Sequence, residues 1–180
     1  DEAVKNEFGL IISRISGRIQ GVKWVDNNNM HLTLVFLGEQ NERDAGVISE
    51  CIRTAVEKSP VFDVEAKSLG LFPDKGMPRV VWAGLDDSSG KLRGLAKNMK
   101  ANLKEKNIAF DDKDFRAHIT LGRVKEPRGV DPENLKKIVS GYDGSVFGAI
   151  KCETIKLISS RLAPQGPEYS VVKEIKIGKL

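Results

Sequence analysis

Histidine is nearly missing from this chain, with two in 180 residues, and threonine is scarce, with four. No run of 18 apolar residues occurs, which excludes a hydrophobic membrane-spanning helix. Within these residues there is no charged-then-apolar secretion signal. Cysteine is limited to Cys51 and Cys152, which form neither a disulfide framework nor a CxxC metal pattern. A reducing cytoplasm is the expected compartment. A GxxxxGK phosphate loop is absent, which argues against a nucleoside triphosphatase. A GxSxG elbow is absent too, and neither cysteine is near a histidine in sequence, so covalent catalysis has no candidate nucleophile. Two histidines without a carboxylate cluster also make a poor metal site.

Apolar residues make up 40% of the chain and charged residues 30%. This length suits one domain, or two small lobes sharing a core. The net charge of +4 and the pI near 9.0 are mildly basic. Such a balance suits a polyanionic ligand without defining one.

Both histidines sit in the same tetrapeptide pattern, His31-Leu32-Thr33-Leu34 and His118-Ile119-Thr120-Leu121, 87 residues apart. With four threonines in the chain, both pairings arising by chance is of order one in 2000. The spacing is close to half the chain and predicts two related lobes, each bringing one histidine to a shared site.

Helical spacing of Val4, Phe8, Ile11, Ile12, Ile15 and Ile19 predicts a first helix over 2–18, with Asp1 as its N-cap. Lys23–Val25 is expected as a short strand, stopped by the turn-rich run 26–29. The first motif is expected on a strand over Met30–Leu37. Further helices are expected over 41–58 and 89–106, the latter with a solvated basic face at Lys91, Arg93, Lys97, Lys100, Lys104 and Lys106. Alternation marks a strand at Phe62–Ala66, and Arg79–Leu85 is a β-rich run. The second motif is expected on a strand over 115–124. A short helix follows Asp131-Pro132. Val146–Leu162 reads as one long or bent strand, turned back by Pro164–Pro167 into a last strand, Tyr169–Ile177. Trp24 and Trp82 are expected in the core. Helices and strands interspersed in this order fit an α+β fold with two small sheets facing each other and helices outside.

In a strand, residues i and i+2 share a face. His31 with Thr33, and His118 with Thr120, are thus presented together, while Leu32, Leu34, Ile119 and Leu121 anchor the strands. Imidazole ordinarily titrates near neutrality, so a pair can work as acid and base. Two hydroxyls can hold an oxyanion. The set suits metal-free phosphodiester hydrolysis, one histidine activating water and the other protonating the leaving oxygen.

These residues resemble the 2H phosphoesterase superfamily, and within it the RNA 2′,3′-cyclic phosphodiesterases, also called 2′-5′ RNA ligases. The likeness rests on residues 29–39, on Arg79-Val80-Val81-Trp82-Ala83-Gly84, on residues 117–123, and on Leu157–Leu162 followed by Gly166-Pro167-Glu168-Tyr169. It covers nearly the whole chain. It implies one bilobal α+β domain over 1–180, with pseudo-symmetric lobes of small, mostly antiparallel sheets about a central cleft. It implies opening of an RNA 2′,3′-cyclic phosphate to a 2′-phosphate, with 2′-5′ joining as the reverse chemistry and without a cofactor. His31 would then be the proton donor and His118 the proton acceptor, with Thr33 and Thr120 on the phosphate oxygens. The expected partner is RNA ending in a 2′,3′-cyclic phosphate, tRNA fragments included, and the expected state is a monomer away from membranes.

Five residues past the histidines stand Phe36 and Arg123, placed to stack a base and to clamp a phosphate as similar residues do in that family. Strict alternation turns both away from their histidines, so a bulge or strand end is expected there, near Gly122 for Arg123. Tyr169 and Arg79 are further candidates for the cleft border. Relatives usually open with a short apolar strand, so a leading segment is expected upstream of Asp1. Two other readings remain: a 2H phosphoesterase acting on a small nucleotide cyclic phosphate, and an RNA-end binding protein without turnover.

Overall fold

A computed structural model describes residues 1–163 and 166–178. In chain order the elements are α1 (Glu2–Ser16), β1 (Val22–Trp24), α2 (Ala45–Val56), β2 (Phe62–Phe72), β3 (Val80–Asp86), α3 (Lys91–Glu105), β4 (His118–Val124), α4 (Pro132–Ser140), β5 (Val146–Cys152), β6 (Thr154–Ala163) and β7 (Gly166–Lys176). This is the expected α+β class with small antiparallel sheets. One sheet has the order β1-β4-β3-β2-β5, and the other is the hairpin β6-β7.

The chain divides into two compact units. The first comprises 1–33, 64–88 and 117–150; the second comprises 34–63, 89–116 and the described residues of 151–180. Each combines two helices with antiparallel strands. The sequence reading gave one histidine to each lobe, whereas His31 and His118 both belong to the first unit.

In the first unit, α1 starts where the Asp1 carboxylate accepts the Ala3 backbone N–H at 2.9 Å. Such a cap is worth about 1 kcal/mol. Val4, Phe8, Ile11 and Ile15 recur at helical spacing and are all buried. The Phe8 ring meets Phe147 of β5 edge-on, with centroids 5.7 Å apart. Strand β3 alternates buried Val81, Ala83 and Leu85 with half-exposed Val80, Trp82 and Gly84. The sheet thus has a core face and an open face. In the second unit, α2 and α3 bury Ile48, Cys51, Ile52, Leu92, Leu95, Met99 and Leu103. Asn102 Nδ2 of α3 donates to the Cys51 carbonyl of α2 at 3.0 Å.

Three departures from the sequence reading have local causes. Residues 30–37 do not form a strand; one antiparallel bridge, Leu32 with Ile119, is all the regular pairing there. The Asp26 carboxylate caps a 3-10 turn over Asn27–Asn29, lifting the chain off β4, and β4 itself begins at His118, one residue before the bridge. The long strand over 146–162 is two strands, in different sheets, broken at Glu153, whose carbonyl accepts Ile177 N–H at 2.8 Å. Trp24 and Trp82 are half-buried rather than core. Of the expected turn at 164–167, Pro164 and Gln165 lie outside the described residues, while Gly166 and Pro167 open β7.

Candidate active site

Strand register decides which side chains share the open face. β4 pairs with β3 as His118↔Gly84, Ile119↔Ala83 and Thr120↔Trp82, then as Gly122↔Val81 and Arg123↔Val80. Leu121 has no partner in this ladder, so it is the extra residue of a β-bulge. Directly opposed residues point to one side of a sheet. Val80, Trp82 and Gly84 alternate on the open side of β3, so His118, Thr120 and Arg123 are all on that side. Without the bulge, Arg123 would face the core side. The irregularity expected near Gly122 therefore sits at Leu121 and turns Arg123 toward its histidine.

The bridge between Leu32 and Ile119 supplies the other half. Ile119 is on the core side, and so is Leu32. Its neighbours His31 and Thr33 consequently take the open side. In antiparallel pairing His31 stands across from Thr120, and Thr33 across from His118. The two histidines are then diagonal neighbours, about 7–8 Å apart at the backbone.

His31 Nδ1 lies 2.7 Å from the Asn29 carbonyl oxygen. A carbonyl only accepts, so Nδ1 carries the hydrogen and Nε2 is the nitrogen that exchanges protons. The turn that lifts 27–29 off the sheet thus also orients the ring.

His118 is held by aromatic rings that the sequence reading missed. Phe72 meets it edge-to-face, with centroids 5.0 Å apart and planes at 86°. Trp82 lies 6.4 Å away at 67°, and Phe72 and Trp82 are 5.0 Å apart. The indole fits because Gly70 lies beneath it: a Cβ there would come within 2.1 Å of the Trp82 ring. A Cβ on Gly84 would meet the Lys67 carbonyl at 2.7 Å and the same indole at 3.3 Å. The signal was in the sequence. Trp82 lies between buried Val81 and Ala83, so period two alone puts it on the opposite face.

The remaining candidates divide. Arg123 is exposed and joined on the open face by Lys23, its partner in β1. Lys67 of β2 pairs with Gly84 and shares this face, leaving the region basic. Arg79 is exposed; its N–H donates to the Phe72 carbonyl at 2.7 Å, a structural tie across the β2–β3 turn. Phe36 and Tyr169 belong to the second unit, where they are 64% and 38% exposed. Among the described residues, no cluster of three or more His, Cys, Asp or Glu side chains is arranged to hold a metal ion, and no helix is long and apolar enough to cross a membrane.

Paired His and Thr residues next to Arg123 and Lys23 make this face the candidate site, and its chemistry is that of a phosphoesterase. The chain matches the family model "LigT like Phosphoesterase" over residues 2–82 and 85–169 and belongs to that family. It is 35% identical to an RNA 2′,3′-cyclic phosphodiesterase of Aquifex aeolicus, over 98% of this chain and 89% of that protein. It is 37% identical to one from Archaeoglobus fulgidus, over 94% and 91%. The crystal structure of TT0787 of Thermus thermophilus superposes with a TM-score of 0.82 at 27% identity, covering 98% of this chain and 93% of that one. The fold is also that of E. coli LigT complexed with 3′-AMP, at TM-score 0.72 and 22% identity over 97% and 93% of the two chains.

Proposed function

We propose that this phosphoesterase opens the 2′,3′-cyclic phosphate at the end of an RNA strand, giving a 2′-phosphate and a free 3′-hydroxyl. The observation that carries the reading is the Leu32–Ile119 bridge, which joins the two His-x-Thr motifs side by side. Relatives of similar length bear the name of that activity.

The mechanism follows from these positions. Water attacks phosphorus, and His118 takes its proton. The P–O3′ bond breaks, and His31 Nε2 gives a proton to the leaving 3′ oxygen. Thr33 and Thr120 hydroxyls donate to the non-bridging oxygens, whose charge grows in the transition state. Arg123 adds a cation on the same face. The chain works as one domain over 1–180, without a metal or cofactor, as a monomer in the cytoplasm. A 5′-hydroxyl in place of water gives the 2′-5′ joining reaction by the same displacement.

The test is chromatography of the products from an oligoribonucleotide with a 2′,3′-cyclic phosphate end, with chelator present. A 2′-phosphate product is expected. A 3′-phosphate product, or dependence on added metal, would overturn the proposal.

A further inference from the structure

We infer that Lys67 belongs to the active site, where its ammonium binds a non-bridging oxygen of the reacting phosphate from the His118 side. The inference deepens the phosphodiesterase reading above and rests on it. Lys67, Gly84 and His118 form one row across β2, β3 and β4, paired as Lys67↔Gly84 and Gly84↔His118. Directly opposed residues point to one side of a sheet, so all three take the open face. The middle member has no side chain. A Cβ there would meet the Lys67 carbonyl at 2.7 Å and the Trp82 ring at 3.3 Å, so the position stays glycine. No side chain of this row therefore stands between Lys67 and His118. Two strand spacings separate their backbones, about 9–10 Å, and the four-carbon stem of lysine covers much of that span.

A bulge secures this placement. Ser68 has no partner in the β2–β3 ladder, and pairing resumes at Leu69↔Ala83. Ser68 is thus an extra residue in its strand, at φ +59°, a left-handed conformation unusual outside glycine. The turn after α4 fixes it. Ser68 N–H donates to the Ser145 carbonyl at 2.8 Å, and Gly144 N–H donates to the Ser68 hydroxyl at 2.9 Å. Strict alternation would put Lys67 and Gly70 on opposite faces, whereas the bulge puts both on the open one. The two strands that flank β3 therefore each carry a bulge, and each bulge brings one cation to the open face, Lys67 from β2 and Arg123 from β4. Lys67 is half-buried, and among the described residues no carboxylate pairs with it. Glu65 and Asp86 fill the next row of the same face. Lys67 stands between those carboxylates and His118, where a cation offsets their repulsion of an anionic substrate.

Two measurements on the full chain test this. The first is steady-state hydrolysis of a nucleoside 2′,3′-cyclic phosphate, whose only phosphate is the reacting one. Lys67→Met keeps an unbranched stem and removes the charge. It should raise KM by about tenfold, the worth of a charge-assisted contact, with a smaller change in kcat. Lys67→Arg should restore KM. The gap between wild type and Lys67→Met should narrow as salt is raised, which a packing defect would not do. The second is calorimetric binding of inorganic phosphate, which needs no turnover, and Lys67→Met should weaken it by a similar factor. An unchanged KM or an unchanged phosphate affinity in Lys67→Met would overturn the role of Lys67. So would a loss that Lys67→Arg fails to recover and salt fails to alter. Phosphate binding that depends on Lys67, in a protein that turns over no cyclic phosphate, would instead overturn the phosphodiesterase reading and leave Lys67 in a phosphate site.

Discussion

Leu32 and Ile119 form an antiparallel bridge, and this single pairing aligns the two His-x-Thr motifs. Both residues turn to the core side, which sends His31, Thr33, His118 and Thr120 to the other. The tetrapeptides therefore act as partners across one seam. Replacing either histidine with alanine should lower kcat by about 10²–10⁴, the worth of a positioned acid or base. Thermal unfolding should change little for His31→Ala, because His31 is exposed. An active His118→Ala protein would remove that residue from the reaction.

Ile119 is 7% exposed, so its substitution tests the seam separately from the chemistry. Ile119→Ala should cost about 2–4 kcal/mol in stability, as for other buried aliphatic truncations. It should also slow turnover by loosening His118. Urea unfolding and kcat on one preparation would show both effects. A large stability loss with full activity would mean that the bridge does not position the histidines.

The motifs and their facing were readable because period two is a local property of strands. The bulge was expected near Gly122 from the need to bring Arg123 round, and Leu121 proved to be the extra residue. The extent of the first strand was not readable. It depends on where β4 begins and on the 3-10 turn capped by Asp26, both set by neighbours in space. Trp82 was expected in the core, although its place between Val81 and Ala83 already marks the opposite face. Its setting depends on Gly70, a residue on another strand whose missing side chain makes the room. Lys23 escaped notice for the same reason: only the β1–β4 register brings it opposite Arg123.

The stacking of Trp82 over Gly70 yields a steric prediction. In Gly70→Ala the new methyl would lie within 2.1 Å of the indole, so the ring must move. Overpacking of this kind costs about 1–3 kcal/mol. Tryptophan fluorescence should shift and kcat should fall, because the same indole neighbours His118. Adding Trp82→Phe should recover part of the stability in a double-mutant cycle. Strict additivity of the two changes would show that the ring and the glycine are not coupled.

The two thiols should differ in reactivity. Burial in the second unit pushes the Cys51 thiol above its ordinary range, with Lys106 only partly opposing this. The thiolate is the reactive form. Cys152 is half-exposed and should be alkylated first, with Cys51 protected until the unit opens. The raised value also has a linkage consequence. Folding binds the Cys51 proton more tightly, so this contribution is fully present below the ordinary thiol range and is lost as pH rises through the raised value. Mass spectrometry of alkylated peptides over time distinguishes the sites; equal rates would contradict the burial.

The pH profile assigns the two histidine roles individually. A proton donor must hold its proton before the leaving oxygen departs, so the donor sets the alkaline limb of the profile. A base must be empty, so the base sets the acid limb. Wild-type kcat/KM should thus be bell-shaped. In His31→Ala the alkaline limb should flatten while the acid limb stays. In His118→Ala the acid limb should flatten instead. The Nδ1 contact to the Asn29 carbonyl leaves His31 Nε2 as the nitrogen open to substrate, and a backbone acceptor holds that tautomer. Residual rates of both variants across the pH range are enough to decide. The opposite pairing of limbs and variants would exchange the two roles.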